Sequence, residues 1–182
     1  LGIPTMYDRA LQAVIKAALE PEWEAVFETN SYGFRPGRSC HDAVKQIKNC
    51  LQRKAKFVLD ADIAKCFDRI NHVALLQKIN QKGKVRQQIK SWLKSGVIDQ
   101  GVFTATSEGT PQGGVISPLL ANIALHGLEN RLIQYVESLP GTKSKNRENL
   151  GVVRYADDFV IIHKDKFVVQ RCREIISEWL AG

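Results

Sequence analysis

Two short β-rich runs, separated by a pair of adjacent acidic residues, form the most informative segment of this chain. Residues 152–163 read VVRYADDFVIIH, with Asp157 and Asp158 between the two apolar runs. A short polar interruption between runs rich in β-branched and aromatic residues is typical of a hairpin. Adjacent carboxylates repel each other, and burying them is costly unless a cation neutralises them. The segment therefore predicts either a solvated hairpin turn or part of a metal site.

A second acidic segment has a similar character. Residues 57–63 read FVLDADI, so that Asp62 stands at the end of an apolar strand. If this strand lies beside the hairpin, Asp62 joins Asp157 and Asp158, and hard oxygen ligands of this kind suit Mg²⁺. Such a set can hold two metal ions about 3.5–4 Å apart and drive an in-line phosphoryl displacement. The alternative is that Asp62 only caps the strand end, because the pattern does not show that the two segments are neighbours.

A glycine-rich loop precedes a predicted apolar helix. Residues 108–114 read EGTPQGG, and the helix begins near Ser117 with Pro118 early in it, where proline is tolerated. Paired glycines let the backbone approach a ligand closely, and a helix N-terminus favours phosphate. The loop therefore predicts a nucleotide contact through Gln112, with a plain tight turn as the alternative.

The composition is that of an ordinary globular protein. The chain has 182 residues, 44% of them hydrophobic and 25% charged, which excludes collagen-like and extensively disordered chains. No apolar run approaches 18 residues, so no transmembrane helix is predicted. The four cysteines form no CxxC pair, which favours reduced, mostly buried thiols and a cytoplasmic location.

The formal net charge of +7 is concentrated in two runs. Seven basic residues and no acidic one lie between Arg69 and Ile98, and seven more lie between residues 35 and 56, opposed by Asp42 alone. Solvated surfaces are one explanation, and a nucleic-acid backbone as partner is the other. Arg35 and Arg38 flank a Pro-Gly turn, where they can grip phosphates by bidentate bonds or hold the loop by pairing with carboxylates.

Hydrophobic periodicity predicts an α+β fold in which helices pack on a mostly antiparallel sheet. A first helix is expected over residues 5–27, interrupted at Glu20-Pro21. A strand is expected over residues 97–103, and a polar, mobile loop over residues 139–149. Further helices are expected from about Ser39, at residues 72–80, 84–95 and 166–180, and from about Ser117.

Five sequence blocks, in this order, resemble the reverse transcriptases encoded by bacterial group II introns. They are LGIPT at residues 1–5, YGFRPGRS at 32–39, DIAKCFD at 62–68, TPQGGVISPLLANI at 110–123 and YADD at 155–158. The resemblance implies a right-hand polymerase, with partial fingers over residues 1–56, the catalytic palm over residues 57–182, and the thumb absent. Within the palm, the basic helical segment of residues 69–96 is expected to return to the junction with the fingers.

The resemblance implies an enzyme, an RNA-directed DNA polymerase that joins a dNTP to a primer 3′-OH with two Mg²⁺ ions, or with Mn²⁺ as a substitute. It implies that Asp62, Asp157 and Asp158 are catalytic metal ligands, together with the carbonyl of Ile63. Asp68 matches no ligand position and is interpreted as structural. The remaining implied contacts are with the nucleotide (Phe67, which would exclude a ribose 2′-OH, Gln112, Gly113, Ala64 and Cys66), the primer (Tyr155) and the template or other nucleic acid (Arg35, Arg38, Lys84 and Arg86).

The implied partners are an RNA template, a DNA primer, dNTP and intron RNA, in the retrohoming of a mobile retroelement, with no membrane. One alternative is a maturase, which binds intron RNA to assist splicing, and another is a reverse transcriptase linked to CRISPR adaptation or phage defence. A metal enzyme that acts on nucleotides without polymerising them is a third, but it leaves the glycine loop and the Arg35 block unexplained. Because the basic residues that grip the triphosphate precede the first block in this family, the chain is expected to be a fragment with weak or no activity alone.

Overall fold

The computed structural model describes residues 3–52, 55–99, 102–110 and 113–181. The chain forms two compact units, each built from two separate stretches. The first unit comprises Leu1–Val26 and Ala64–Leu125, and the second comprises Phe27–Ile63 and His126–Gly182. These units do not follow the predicted division at residue 56, and the assignment of fingers and palm stays a prediction.

The described chain combines helices with short strands. The helices are α1 (Met6–Glu24), α2 (Cys40–Leu51), α3 (His72–Ile79), α4 (Gly83–Leu93), α5 (Ser117–Leu125), α6 (Leu128–Glu137), α7 (Lys143–Asn149) and α8 (Lys166–Ala181). The strands are β1 (Phe57–Asp62), β2 (Val97–Asp99), β3 (Val102–Thr104), β4 (Gly151–Tyr155) and β5 (Asp158–His163), and a 3₁₀ helix covers Cys66–Asp68.

The first unit is mainly helical. Helix α3 packs against α4 and α5, and α1 packs against α5. Apolar side chains from these helices are almost completely buried, among them Leu75, Ile89, Leu93, Leu120 and Ile123. The strand expected over residues 97–103 is instead a pair of short antiparallel strands, β2 and β3, with Val97 opposite Thr104.

Pro21 does not interrupt α1, contrary to the prediction. Proline removes the N–H that would bond to the carbonyl of residue 17, but Pro21 and Ala17 are both exposed, so water can hydrate that carbonyl. Leu19 and Trp23 are buried on either side of Pro21 and hold the helix in place. Burial of the flanking residues therefore outweighs the local preference of proline.

The second unit is built on a three-stranded antiparallel sheet with the order β1-β5-β4. Helices α6 and α8 pack with one face of it, in a core that includes Leu132, Val152, Phe159, Ile161 and Cys172. This arrangement confirms the predicted α+β fold with a mostly antiparallel sheet.

The other face of the sheet is covered at β4 by α2. Ala43 and Ile47 of α2 pack with Val153 and Tyr32. Ser39 caps α2 as expected: its hydroxyl accepts a hydrogen bond from the Asp42 N–H, and the Asp42 carboxylate accepts one from the Ser39 N–H. Because strand residues alternate between faces, Asp60, Asp62 and Asp158 share this second face.

The polar loop expected over residues 139–149 contains α7. This helix has seven residues and buries none of them, so it shows no apolar periodicity that a sequence pattern would detect. Side-chain hydrogen bonds stabilise it locally, since Asn146 Nδ2 donates to the Leu139 carbonyl at 3.0 Å and Ser144 Oγ donates to the Glu148 carboxylate at 2.9 Å.

The four cysteines are free thiols, of which Cys66 and Cys172 are buried and Cys40 is exposed. Burial raises the pKa of the Cys172 thiol to about 11, so this group is protonated at neutral pH. None of the helices in the described ranges is long and apolar enough to cross a membrane.

Candidate active site

Three carboxylates meet at one end of the sheet in the second unit. Asp62 ends β1 and Asp158 begins β5, and the two residues are direct register partners. Such partners carry their Cβ atoms about 4.5–5.5 Å apart on the same face of an antiparallel pair. The Ile63 N–H donates to the Asp157 carbonyl at 3.2 Å, which ties the end of β1 to the turn. The structure therefore brings together the two acidic segments that the sequence left unconnected.

A fourth carboxylate contributes to the electrostatics of this acidic end, which we define as Asp60, Asp62, Asp157 and Asp158. Partial loss of hydration, together with the negative charges of Asp157, Asp62 and Asp60, raises the pKa of Asp158 above the usual aspartate value of 3.8. Asp60 was not among the predicted site residues, although its position two residues before Asp62 in a strand predicts the same face.

The donor set of the acidic end fits a divalent cation. Carboxylate oxygens are hard ligands, and a cation would relieve the repulsion that raises the Asp158 pKa. In the part of the chain that the structure describes, no three His, Cys, Asp or Glu side chains are arranged so that they could hold a metal ion as they stand. The roles of Asp62, Ile63, Asp157 and Asp158 as metal ligands therefore stay a prediction.

Tyr155 lies beside the acidic end. It is the last residue of β4 and the register partner of Asp158, so its side chain stands on the same face of the sheet. The residue is 37% exposed, which leaves its ring accessible to a ligand. This placement is compatible with the predicted contact with a primer, which stays a prediction.

In the first unit, the glycine loop packs against the segment that carries Phe67. The Thr110 N–H donates to the Phe67 carbonyl at 2.7 Å, and the Gly109 N–H donates to the Ile70 carbonyl at 2.8 Å. Gly109 has φ +85°, and a Cβ on it would lie 2.7–2.9 Å from backbone atoms of Asp68. The loop thus needs glycine at 109 for packing, and it fixes Phe67, which is half-buried, beside it.

The other predicted nucleotide contacts have different outcomes. Gln112 lies outside the described residues, and Gly113 is exposed, with φ +92°. Ala64 is exposed, but Cys66 is only 7% exposed. The Cys66 side chain thus lies in the interior of the first unit, and its predicted nucleotide contact stays a prediction.

Arg35 lies inside the loop that precedes α2. Its residue is only 6% exposed, and its Nη1 donates to the carbonyls of Glu28 and Ser31 at 2.8 and 2.9 Å. The guanidinium therefore holds the loop through main-chain carbonyls, and its predicted contact with nucleic acid stays a prediction. Arg38 is half-buried and donates to the Thr29 carbonyl, so its predicted contact with nucleic acid is untested.

Helix α4 carries exposed positive charge. Lys84 and Lys90 are exposed on it, and Lys94 is exposed directly after its end. We call these three lysines the basic face. Arg86 is half-buried and donates to the Leu76 carbonyl at 2.5 Å, so one of its nitrogens is used in a hydrogen bond that stabilises the fold. Lys90 and Lys94 were not named individually as candidates, although they lie in the charge run that the sequence analysis identified.

The family of the chain follows from its sequence over residues 1–182. This whole range matches the model of the family described as reverse transcriptase (RNA-dependent DNA polymerase). The chain is a reverse transcriptase domain. The predicted resemblance is therefore confirmed at the level of the family.

This reverse transcriptase domain is similar in sequence to two bacterial proteins. It is 38% identical over 214 residues to protein YkfC of Escherichia coli K12, covering all of this chain and 55% of YkfC. It is 46% identical over 137 residues to the group II intron-encoded protein LtrA of Lactococcus lactis subsp. cremoris, covering 74% of this chain and 23% of LtrA. The domain thus spans about half, or less, of the length of these relatives.

Solved telomerase structures share the fold of the reverse transcriptase domain. Apo telomerase from Candida tropicalis, truncated from its C-terminal domain, aligns with a TM-score of 0.66 at 16% identity, covering 91% of this chain and 36% of the telomerase. Telomerase from Candida albicans in complex with a fragment of telomeric RNA aligns with a TM-score of 0.64 at 16% identity, covering 95% and 31%. At such low identity the likeness concerns the fold, and it confirms the predicted right-hand polymerase architecture.

Proposed function

We propose that the protein containing this domain is an RNA-directed DNA polymerase, which extends a primer 3′-OH with dNTP on an RNA template during the retrohoming of a group II intron. The main support for this proposal is that Asp62 and Asp158 are register partners, with Asp157 in the adjoining turn, in a chain of the reverse transcriptase family. The identity to LtrA, a group II intron-encoded protein, supports the intron setting. The cytoplasm is the proposed location.

Asp62, Asp157 and Asp158, with the Ile63 carbonyl, would hold two Mg²⁺ ions, or Mn²⁺ in their place. When bound there, the metal would lower the pKa of the primer 3′-OH and stabilise the leaving pyrophosphate. The carboxylates themselves supply a local negative potential, which the raised pKa of Asp158 reflects. Because Asp62 and Asp158 are fixed by strand pairing, they need little reorganisation to bind a cation.

Residues outside the acidic end would bind and orient the substrates. Phe67, fixed through its carbonyl to the Thr110 N–H, would exclude a ribose 2′-OH by steric contact. Gln112, Gly113 and Ala64 would contact the nucleotide, and Tyr155 would support the primer end. Arg38, Lys84 and Arg86 would bind the nucleic-acid backbone.

Primer extension by the full-length protein tests the proposal. With an RNA template, dNTP and Mg²⁺, we expect the wild-type protein to synthesise DNA and the Asp157→Ala variant to lose synthesis while its melting temperature stays close to that of the wild type. A Glu174→Gln variant, which removes an exposed carboxylate from α8 of the same unit, should keep the activity. Extension by a folded Asp157→Ala protein would rule out the metal-ligand assignment.

Maturase-type binding of intron RNA is a second candidate function. The exposed basic face favours it, because it belongs to a segment, Arg69 to Ile98, that carries seven basic residues and no acidic one. In this case the Asp157→Ala protein should still bind intron RNA and assist splicing, although it no longer extends a primer. Loss of both activities in a folded Asp157→Ala protein would argue against a separate binding surface.

A further inference from the structure

A short segment pairs with the edge of β4 immediately before the acidic turn. Ser31 forms a parallel β-bridge with Arg154. The Tyr32 N–H donates to the Arg154 carbonyl at 2.9 Å, and the Arg154 N–H donates to the Asn30 carbonyl at 2.9 Å. Residues 31–33, which we call the clamp segment, therefore run along the edge of β4 and pair with it through one isolated bridge.

The last residue of the clamp segment touches the turn itself. A Cβ on Gly33 would lie 2.3 Å from the Ala156 nitrogen and 2.9 Å from the Tyr155 carbonyl carbon. These are backbone atoms, so no side-chain rotation can relieve the overlap. The close approach of the two backbones therefore requires glycine at position 33. Gly33 contacts the Tyr155-Ala156 peptide, and Asp157 is the next residue along the chain.

The turn adopts a conformation that its own residues do not favour. Ala156 has φ +57°, in the left-handed region that a residue with a Cβ adopts only at an energetic cost. Arg154, which is 4% exposed, donates from Nη1 to the Ala156 carbonyl at 3.0 Å. The turn is therefore held by this hydrogen bond and by the contact with Gly33, and both act on the two peptides that flank Ala156.

The clamp segment is itself anchored inside the second unit. Arg35 donates to the carbonyls of Glu28 and Ser31, and its guanidinium lies 5.1 Å from the centre of the Phe27 ring. The Glu28 carboxylate accepts hydrogen bonds from the Gly127 N–H at 2.5 Å and from His126 Nδ1 at 3.0 Å. These bonds connect the clamp segment to the start of α6, so other parts of the second unit hold it in place.

We propose that the clamp segment positions the acidic turn for metal binding, with Gly33 and Arg154 as positioning residues. The carboxylates at the acidic end repel each other, so a free turn would move to separate them. By holding the Tyr155-Ala156 peptide, the clamp segment keeps Asp157 and Asp158 at a fixed distance from Asp62. The proposal rests on the proposed function for the role of the carboxylates, but its structural part can be measured without metal.

The Gly33→Ala variant of the full-length protein tests this role. In metal-free buffer, we expect hydrogen exchange of the amides in residues 155–159 to accelerate at least tenfold, because the added methyl group displaces the turn. We also expect the Mn²⁺ dissociation constant to rise about tenfold, as for other changes behind a metal ligand, and the Mg²⁺ concentration for half-maximal primer extension to rise with it. Unchanged turn exchange and Mn²⁺ affinity in this variant would overturn the proposal.

Gly37→Ala is the matched control in the same loop. A Cβ on Gly37 meets nothing within 4 Å, although the residue has φ +68°, so alanine there introduces backbone strain without touching the turn. This variant should lower the melting temperature and leave the Mn²⁺ affinity unchanged. A parallel loss of Mn²⁺ affinity in Gly37→Ala would show that the loop acts only through overall stability, which contradicts the proposal.

Ala156→Gly provides a test if Gly33→Ala does not fold. Glycine removes the cost of the positive φ but lets the turn adopt other conformations. We expect the melting temperature to stay unchanged, while the amides of the turn exchange hydrogen faster and the Mn²⁺ affinity falls. A merely structural role does not produce this combination. Unchanged exchange and affinity in this variant would contradict the proposal. If wild-type protein binds no Mn²⁺ through Asp157, the proposed function fails, whereas the exchange measurements still decide whether the clamp segment holds the turn.

Discussion

The acidic end of the sheet and the basic face of α4 are both polar, exposed surfaces, but the two units build them differently. At the acidic end, Asp62 and Asp158 take their places from strand register, and a hydrogen bond from the buried Arg154 side chain holds the turn between β4 and β5. On the basic face, buried residues such as Ile89 and Trp92 hold the helix, and the lysines extend from it into solvent.

This difference predicts how each surface responds to substitution. The backbone sets the geometry of the carboxylates, so removing one of them or a support beneath them should have a large effect. The lysines act as mobile, screened charges, so their effects should be individually small and roughly additive. Four measurements test this difference.

The largest effect is expected for Asp62→Asn. The substitution keeps the size of the side chain but removes a charge at the acidic end, and we expect the rate of primer extension to fall on the order of 10³-fold or more. Single-turnover extension by the full-length protein on an RNA template measures it. Lys84→Gln is the control, with an expected change of less than about threefold. Equal losses in the two variants would remove the contrast between the surfaces.

The next effect concerns the buried support beneath the acidic end. Arg35→Ala removes the charged donor of the Glu28 carbonyl and the nearer of two charged donors of the Ser31 carbonyl, and we expect the free energy of unfolding to fall by about 3 kcal/mol. Urea denaturation measures this change. Lys90→Ala, at an exposed position of α4, should leave the stability essentially unchanged. An unchanged stability of Arg35→Ala would show that the guanidinium does not support the loop.

A smaller effect is expected when the basic face is neutralised. The triple variant Lys84→Gln, Lys90→Gln and Lys94→Gln should bind intron RNA roughly tenfold more weakly at physiological salt, and the slope of log affinity against log salt should decrease by about 2. Filter binding over a salt series measures both quantities.

A control for net charge uses residues of the second unit. Lys164→Gln, Lys166→Gln and Arg173→Gln together remove the same charge from exposed positions. If this triple variant weakens RNA binding as much as the α4 variant, the affinity depends on total charge, and the basic face is not the binding surface.

The smallest effect is a pH-dependent contribution of Glu28 to the free energy of unfolding. Burial disfavours the ionised Glu28 carboxylate, but hydrogen bonds from His126 and Gly127 outweigh it and lower the pKa of Glu28 below its usual 4.5. Since the unfolded chain takes up this proton first, the stabilisation is present above pH 4.5 and is lost as the pH falls. Glu28→Gln should therefore show a shallower loss of unfolding free energy below pH 4.5 than wild type, whereas the α4 triple variant should follow the wild-type profile.

Several elements could be predicted from the sequence because local patterns determine them. The strands around Asp157 and the strand ending at Asp62 follow from apolar runs bounded by polar residues, and α2 follows from its Ser39 cap. Other elements could not be predicted from a local pattern. Helix α7 buries no side chain, and α1 continues through Pro21 because of contacts on either side of it.

The family, the order of the blocks and the three acidic residues could be read from the sequence, because they depend only on residue types and their spacing. The folded structure was needed to show that Asp62 faces Asp158, that Asp60 joins them and that Arg35 lies inside the loop. The physical reason is that register and burial depend on contacts between segments distant in the chain. An arginine beside Pro-Gly has the same local pattern whether it binds a phosphate or the carbonyls of its own backbone.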